Sequence, residues 1–155
     1  MSPTGANNQL PAMTRTSSVK ALPVSRSLDG DDYQALLPRL QKVESLPVEG
    51  WKFKDDSEGL GGARGYWNPD FPEDGMVAIR VDKLWDHQGY PGLKEGWYRL
   101  RYRCPEISEG KRAFLQFGAV DESAWLYIDG LPVAWYDPAN PGITWEKPVL
   151  FDVTG

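Results

Sequence analysis

From Val48 onward, apolar and polar residues alternate in short runs and do not recur every three to four positions. The runs are 48–54, 76–81, 97–103, 112–117, 124–128, 133–135 and 149–153. In an extended chain, Tyr98, Leu100, Tyr102 and Cys104 share one face, and Trp97, Arg99, Arg101 and Arg103 share the other. Ala113, Leu115 and Phe117 likewise oppose Arg112, Phe114 and Gln116, while Ala124, Leu126 and Ile128 oppose Trp125, Tyr127 and Asp129. A period of two with one wetter face predicts antiparallel strands packed on one side. Asp129-Gly130, between two such runs, predicts a two-residue hairpin turn. Short strands without a long helical pattern predict an all-β fold, an antiparallel β-sandwich. Ala113, Leu115, Phe117, Leu126 and Ile128 are expected to be buried between its sheets.

The N-terminal part reads differently. Residues 1–30 are small, polar and interrupted by proline, which predicts a disordered lead. Residues 31–47 predict a short helix and linker: Leu36, Leu37, Leu40 and Val43 follow the acids Asp31 and Asp32, with Pro38 breaking the pattern. The sandwich is expected over 48–155.

Composition narrows the function. The 155 residues include 17 Lys and Arg against 22 Asp and Glu, a net charge of −5. That balance argues against a nucleic-acid binder, which would show a basic face, and against a polybasic membrane-surface protein. No apolar run has the ~18–20 residues of a membrane span. Residues 1–27 have no apolar core of a secretory signal, so no compartment is assigned. The single cysteine, Cys104, excludes an internal disulfide and a multi-cysteine zinc site, and is expected to be a half-buried thiol at a strand end.

Three long stretches between the strands, 55–75, 83–96 and 136–147, are rich in aromatic residues and glycine. Loops beyond about 12–15 residues are unusual in compact domains unless functional or disordered, and the aromatic content argues against disorder. A sugar site needs a flat apolar face beneath the C–H groups and planar polar groups for the hydroxyls. Trp85, His87, Gln88 and Tyr90 in one loop, and Trp135, Asp137, Asn140 and Trp145 around another, have that chemistry. The alternative is that Trp85 and Trp145 cover the core and His87 is an ordinary loop hydrogen-bonder. Asp55, Asp56 and Glu58 are a weak candidate for structural calcium, against a solvated acidic turn, and otherwise no cofactor is implied. Gly59, Gly61, Gly62 and Gly65 do not form a phosphate loop, because no Lys-Ser/Thr and no helical pattern follow.

Taken in order, Gly96-Trp97-Tyr98-Arg99, Gly110-Lys111-Arg112, Phe117-Gly118-Ala119-Val120, Ala124-Trp125-Leu126-Tyr127-Ile128-Asp129-Gly130 and Phe151-Asp152-Val153-Thr154 resemble the sugar-binding domain of glycoside hydrolase family 2. That is the N-terminal galactose-binding-like jelly roll of β-galactosidases, β-glucuronidases and β-mannosidases, and the resemblance covers about residues 48–155. It implies a carbohydrate-binding or accessory domain whose partner is a glycan or an adjoining catalytic barrel. It also makes Asp137 the residue most readily carried over to a sugar pocket. The alternative is a structural or protein-interaction sandwich that binds no sugar. Catalysis is not expected, since the hydrolases' barrel is absent and Asp121-Glu122 are adjacent, whereas a retaining pair is held ~5–5.5 Å apart around the sugar. In the family, another strand follows Asp-Val-Thr. The domain is therefore expected to be C-terminally incomplete, with an open edge beside 149–153 through which it self-associates unless the N-terminal residues fold back over it.

Overall fold

The computed structural model describes residues 25–137 and 147–154. Its elements in chain order are β1 (Ser25–Arg26), α1 (Gly30–Leu36), a 3-10 turn (Leu37–Arg39), β2 (Trp51–Asp55), α2 (Gly61–Arg64), β3 (Val77–Ile79), a second 3-10 turn (Trp85–Gln88), β4 (Gly96–Arg99), β5 (Phe114–Phe117), β6 (Ala124–Ile128), β7 (Leu131–Tyr136) and β8 (Val149–Asp152). Each predicted run thus overlaps a strand. The chain divides into two compact units, one over Val48–Leu100 and the other from the described parts of 20–47 and 101–155.

The second unit is a small β-sandwich. One sheet has the order β1-β7-β6 and the other pairs β5 with β8. All pairings are antiparallel except the short parallel contact of β1 with β7. Val133, Ala134 and Tyr136 of β7 pack against Val149 and Phe151 of β8, so the core lies between the two sheets. The β6–β7 hairpin turns on Asp129 and Gly130, with φ of 50° and 79°, and Ile128 faces Leu131 across it. Two consecutive positive φ angles define the turn whose twist matches that of the strands, and only Gly and small polar residues adopt them cheaply.

The five residues expected at the centre sit at the margin. Leu115, Phe117, Leu126 and Ile128 are partly buried against that core, as is Ala113 by exposure. Sheets of two and three strands cover only their middle, and here the middle is β7 and β8. Replacing Leu126 with Ala is therefore expected to cost about 2 kcal/mol, the low end for leucine truncation. Chemical denaturation measures it, and a loss under about 0.5 kcal/mol would show that this face does not pack.

The edge beside β8 is not bare. Leu28 and Leu150 form an isolated antiparallel bridge, with N–H···O distances of 2.8 and 2.9 Å. The chain before the helix has folded back, so the last residues of the expected disordered lead form a strand and a bridge.

The helix is shorter than expected. It ends at Leu36, and Pro38 sits in the first turn of the following 3-10 segment, where its missing N–H costs nothing. Its anchor is Tyr33, 6% exposed, whereas Leu37 and Val43 of the expected apolar stripe are exposed.

In the first unit, β2 lies between β3 and β4. The run at 97–103 pairs only as far as Arg99, opposite Lys52. One residue before β2, Gly50 turns the chain with φ of 85°, and the β2–β4 ladder ends at Lys52 and Arg99. Cys104 accordingly lies outside any strand and is exposed, not half-buried.

Candidate functional site

In the first unit, period two puts Trp51 and Phe53 of β2 on one face with Tyr98 of β4, and Lys52 and Lys54 on the other with Arg99 and Trp97. Phe53 is fully buried and its ring is met by three others: Trp85 at 5.7 Å, Tyr90 at 4.9 Å and Tyr98 at 5.1 Å. Trp85 also stacks on Tyr98 and donates its Nε1–H to the Tyr98 hydroxyl. Burial holds the Tyr98 phenol above its ordinary pKa, against a smaller opposing effect of that hydrogen bond. Gln88 is held at both ends of its amide: Oε1 accepts the Arg80 N–H at 2.9 Å, and Nε2 donates to the carbonyls of Arg80 (2.9 Å) and Lys83 (3.0 Å). Of the four candidates in this loop, Trp85, Gln88 and Tyr90 thus build the loop onto the sheet, and His87 faces solvent.

This packing requires a bare backbone at position 96. A Cβ on Gly96 would lie 2.5 Å from the Phe53 ring and 3.3 Å from Trp85. Gly96→Ala is expected to cost about 1–3 kcal/mol through overpacking. Thermal unfolding tests it, and a variant as stable as the parent would contradict the close approach.

On the opposite face, Asp56 is 3% exposed. Its Oδ1 accepts the Leu60 N–H (2.9 Å), and its Oδ2 accepts the Gly61 N–H (2.7 Å) and the Trp97 indole N–H (3.0 Å). These bonds take up the free N–H groups at the start of α2, so a helical turn forms where the sequence showed no helical pattern. Gly61 fits only without a side chain: a Cβ there would lie 2.2 Å from Trp97 Nε1 and 2.5 Å from Asp56 Oδ2. The acidic segment weighed for calcium spends its carboxylates on other partners. The Asp56 oxygens are committed to N–H donors, Glu58 pairs with Arg64, and Asp55 accepts the Ser57 hydroxyl. Among the described residues, no group of three His, Cys, Asp or Glu side chains could hold a metal ion. Glu95 has its carboxyl pKa raised, mainly by burial and further by the Asp56 charge.

Arg99 faces the same side as Trp97, its side chain 11% exposed. It donates to the carbonyls of Tyr66 (2.9 Å), Asn68 (2.7 Å) and Phe71 (2.9 Å), with Glu73 Oε1 at 3.7 Å. The alternation had marked this side of β4 only as polar. In the fold it is covered, because Tyr66 meets Trp97 at 6.1 Å and Phe71 at 4.8 Å.

In the second unit, Trp135 of β7 lies opposite Trp125 of β6 and Arg26 of β1. The Arg26 guanidinium sits 5.7 Å over the Trp135 ring, and Trp125 is 47% exposed. One residue beyond β7, Asp137 accepts the Ser123 hydroxyl at 3.0 Å. Trp135 and Asp137 therefore belong to one local surface. Trp125 lies beside them, brought opposite Trp135 by a register shift between Leu126 and Tyr127 that the two-residue turn alone does not predict. Asn140 and Trp145 lie outside the described residues.

At the far end of the same unit, Arg112 pairs with Asp152, whose Oδ1 accepts the Thr154 N–H at 3.0 Å. Burial raises the Asp152 pKa, but Arg112 and Thr154 outweigh it, so the net shift is downward. A depressed carboxyl contributes stability above its unfolded pKa of about 4 and loses it as pH falls through the lower folded value. Asp152→Asn is thus expected to flatten the acid limb of the stability profile below about pH 4. An unchanged slope in urea melts across that range would contradict the assignment.

The fold defines the class of protein: all-β, with mainly antiparallel strands in a sandwich and short helical turns. No protein-family model matches the chain, and no curated protein sequence does. Solved structures do. The chain is similar to a β-glucuronidase from Ruminococcus gnavus in complex with D-glucaro 1,5-lactone, at 22% identity and a TM-score of 0.52, over 74% of this chain and 20% of that one. It is also similar to the β-glucuronidase from Ruminococcus gnavus in complex with C6-substituted uronic isofagomine, at 22% identity and a TM-score of 0.50, over 75% of this chain and 23% of that one. This likeness is one of fold, and the chain spans about a fifth of the length of the structures it matches.

Proposed function

We propose that this chain is a non-catalytic accessory domain of a glycoside hydrolase family 2-like protein, a galactose-binding-like jelly roll that works beside a catalytic barrel and borders its sugar. The fold shared with a β-glucuronidase over three-quarters of this chain carries the reading. The order of the motifs from Gly96-Trp97-Tyr98-Arg99 to Phe151-Asp152-Val153-Thr154 supports it independently. The surface of Trp125, Trp135 and Asp137 has flat aromatic faces and a carboxylate for hydroxyls, and Trp125 is 47% exposed.

A site that an adjoining domain completes binds a monosaccharide weakly on its own, since pockets that hold small ligands bury most of the ligand's area. Calorimetry against galactosides, glucuronides and mannosides is expected to give dissociation constants no tighter than about 1 mM. Micromolar affinity would make the chain an autonomous carbohydrate-binding module and overturn the accessory role. The second reading, an interaction module without sugar affinity, draws on Trp85, Gln88 and Tyr90, which spend their rings and amide inside the fold. Indole N–H NMR separates the two: Trp125 and Trp135 shift on saturation with sugar under the first reading and stay in place under the second.

A further inference from the structure

The outer face of the β1-β7-β6 sheet carries one row of side chains that is covered at one end only. Arg26, Trp135 and Trp125 lie opposite one another in three successive strands. Cross-strand partners share a face, and the adjacent Ala134 and Leu126 turn to the core, so the row points outward. The Arg26 guanidinium caps the Trp135 ring at 5.7 Å. The other cation over a ring among the described residues is Arg112 over Phe114, so none lies over Trp125, which is 47% exposed. One step past the strand ends, period two brings Ser123 and Asp137 to the same face, where the Ser123 hydroxyl donates to Asp137 Oδ1 at 3.0 Å. Asp137 is exposed, and its Oδ2 accepts no hydrogen bond among the described residues.

The charge along this hairpin is of one sign. Residues 119–137 include Asp121, Glu122, Asp129 and Asp137 and no Lys, Arg or His. Arg26 is the cation that joins them from β1, and its guanidinium lies on Trp135. An indole open to solvent beside carboxylates attracts a cation, because the ring face is negative and the attraction grows as the cation leaves water. A guanidinium suits both groups: it is planar and weakly hydrated, so it lies flat on a ring while its forked N–H edge meets a carboxylate. We infer that this face docks a protein partner through an arginine side chain that stacks on Trp125 and pairs with Asp137. That guanidinium extends the row at its bare end as Arg26 does at the other. Trp and Arg are also the side chains that dominate the binding energy where protein surfaces meet. The inference goes beyond the accessory role, since it names what this face holds and needs no affinity for sugar.

The test titrates the full chain with a capped peptide of four Gly-Arg repeats and follows the Trp125 indole N–H by NMR. The arginine peptide is expected to move that signal. It should bind at least about fivefold more tightly than a peptide carrying citrulline, the neutral isostere, in place of arginine. A lysine peptide of equal charge is expected to bind at least about threefold more weakly than the arginine peptide. Trp125→Ala is expected to remove most of the binding, and Asp137→Asn to weaken it about threefold. The remaining indole signals report whether each variant is folded. Should Trp125→Ala unfold, Asp137→Asn and the three peptides still decide. Three results overturn the inference. One is a Trp125 signal that the arginine peptide leaves in place at about 10 mM. Another is an affinity for the lysine or the citrulline peptide within about twofold of that for the arginine peptide. The third is D-glucosamine moving the signal at a lower concentration than the arginine peptide does, which makes the occupant a cationic sugar. Calorimetry with neutral and acidic sugars tests the accessory role separately, so either reading can fail without the other.

Discussion

Asp56→Ala is expected to cost about 3–5 kcal/mol, a large part of the ~5–15 kcal/mol that holds an ordinary domain together. The carboxylate accepts from Leu60, Gly61 and the Trp97 indole, and two of these donors belong to the start of α2. Removing it leaves the buried Gly61 N–H and the part-buried indole N–H without an acceptor, each of which costs about 1–3 kcal/mol. Asp56→Asn keeps one acceptor but turns an amide NH2 toward donors, so it is expected to recover less than half of the loss. Urea denaturation followed by tryptophan fluorescence measures both, because Trp97 reports on the site directly. An alanine variant within about 1 kcal/mol of the parent would show that water replaces the carboxylate there.

Arg99→Ala is expected to be comparably damaging, about 3–5 kcal/mol, and to loosen one loop selectively. The guanidinium joins three carbonyls, of Tyr66, Asn68 and Phe71, to β4 from a position almost out of solvent. Only a rigid fork with several donors reaches three acceptors spread along six residues of chain. Lysine carries the same charge as a single point, so Arg99→Lys is expected to retain less than half of the stabilisation. Amide hydrogen exchange gives a more specific readout than global unfolding. The amides of residues 66–76 should lose protection in both variants, while those of β5 to β8 keep theirs. Parent-like exchange in Arg99→Lys would reduce the role of Arg99 to its charge.

The candidate surface was partly legible before the fold. Composition and loop length singled out Trp85, Tyr90, Trp135 and Asp137 as aromatic and polar groups in unusual places. It could not tell which of them turn inward. Gln88 has the chemistry of a sugar contact, yet its amide is spent on Arg80 and Lys83, a use that depends on how the chain from 80 to 88 folds back on itself. Conversely, Trp125 emerged beside Trp135 only once the β6–β7 register was known.

What the sequence determined by itself is what short-range physics controls. Alternation at 114–117 and 124–128 makes strands, and Asp129-Gly130 makes the turn that sets Ile128 opposite Leu131, because backbone sterics and adjacent side chains decide these within a few residues. What the tertiary structure alone decided involves groups far apart in the chain. Asp56 meets Trp97 across 41 residues, Arg99 meets the carbonyl of Tyr66 across 33, and Gln116 meets Tyr33 across 83. The same holds for β1 and Leu28, whose hydrogen-bonding partners lie in β7 and β8. Period-two patterning reveals that a strand has two different faces. Which face is dry depends on the loop or arm that comes to cover it, and that is set by the long-range pairing of buried polar groups and rings.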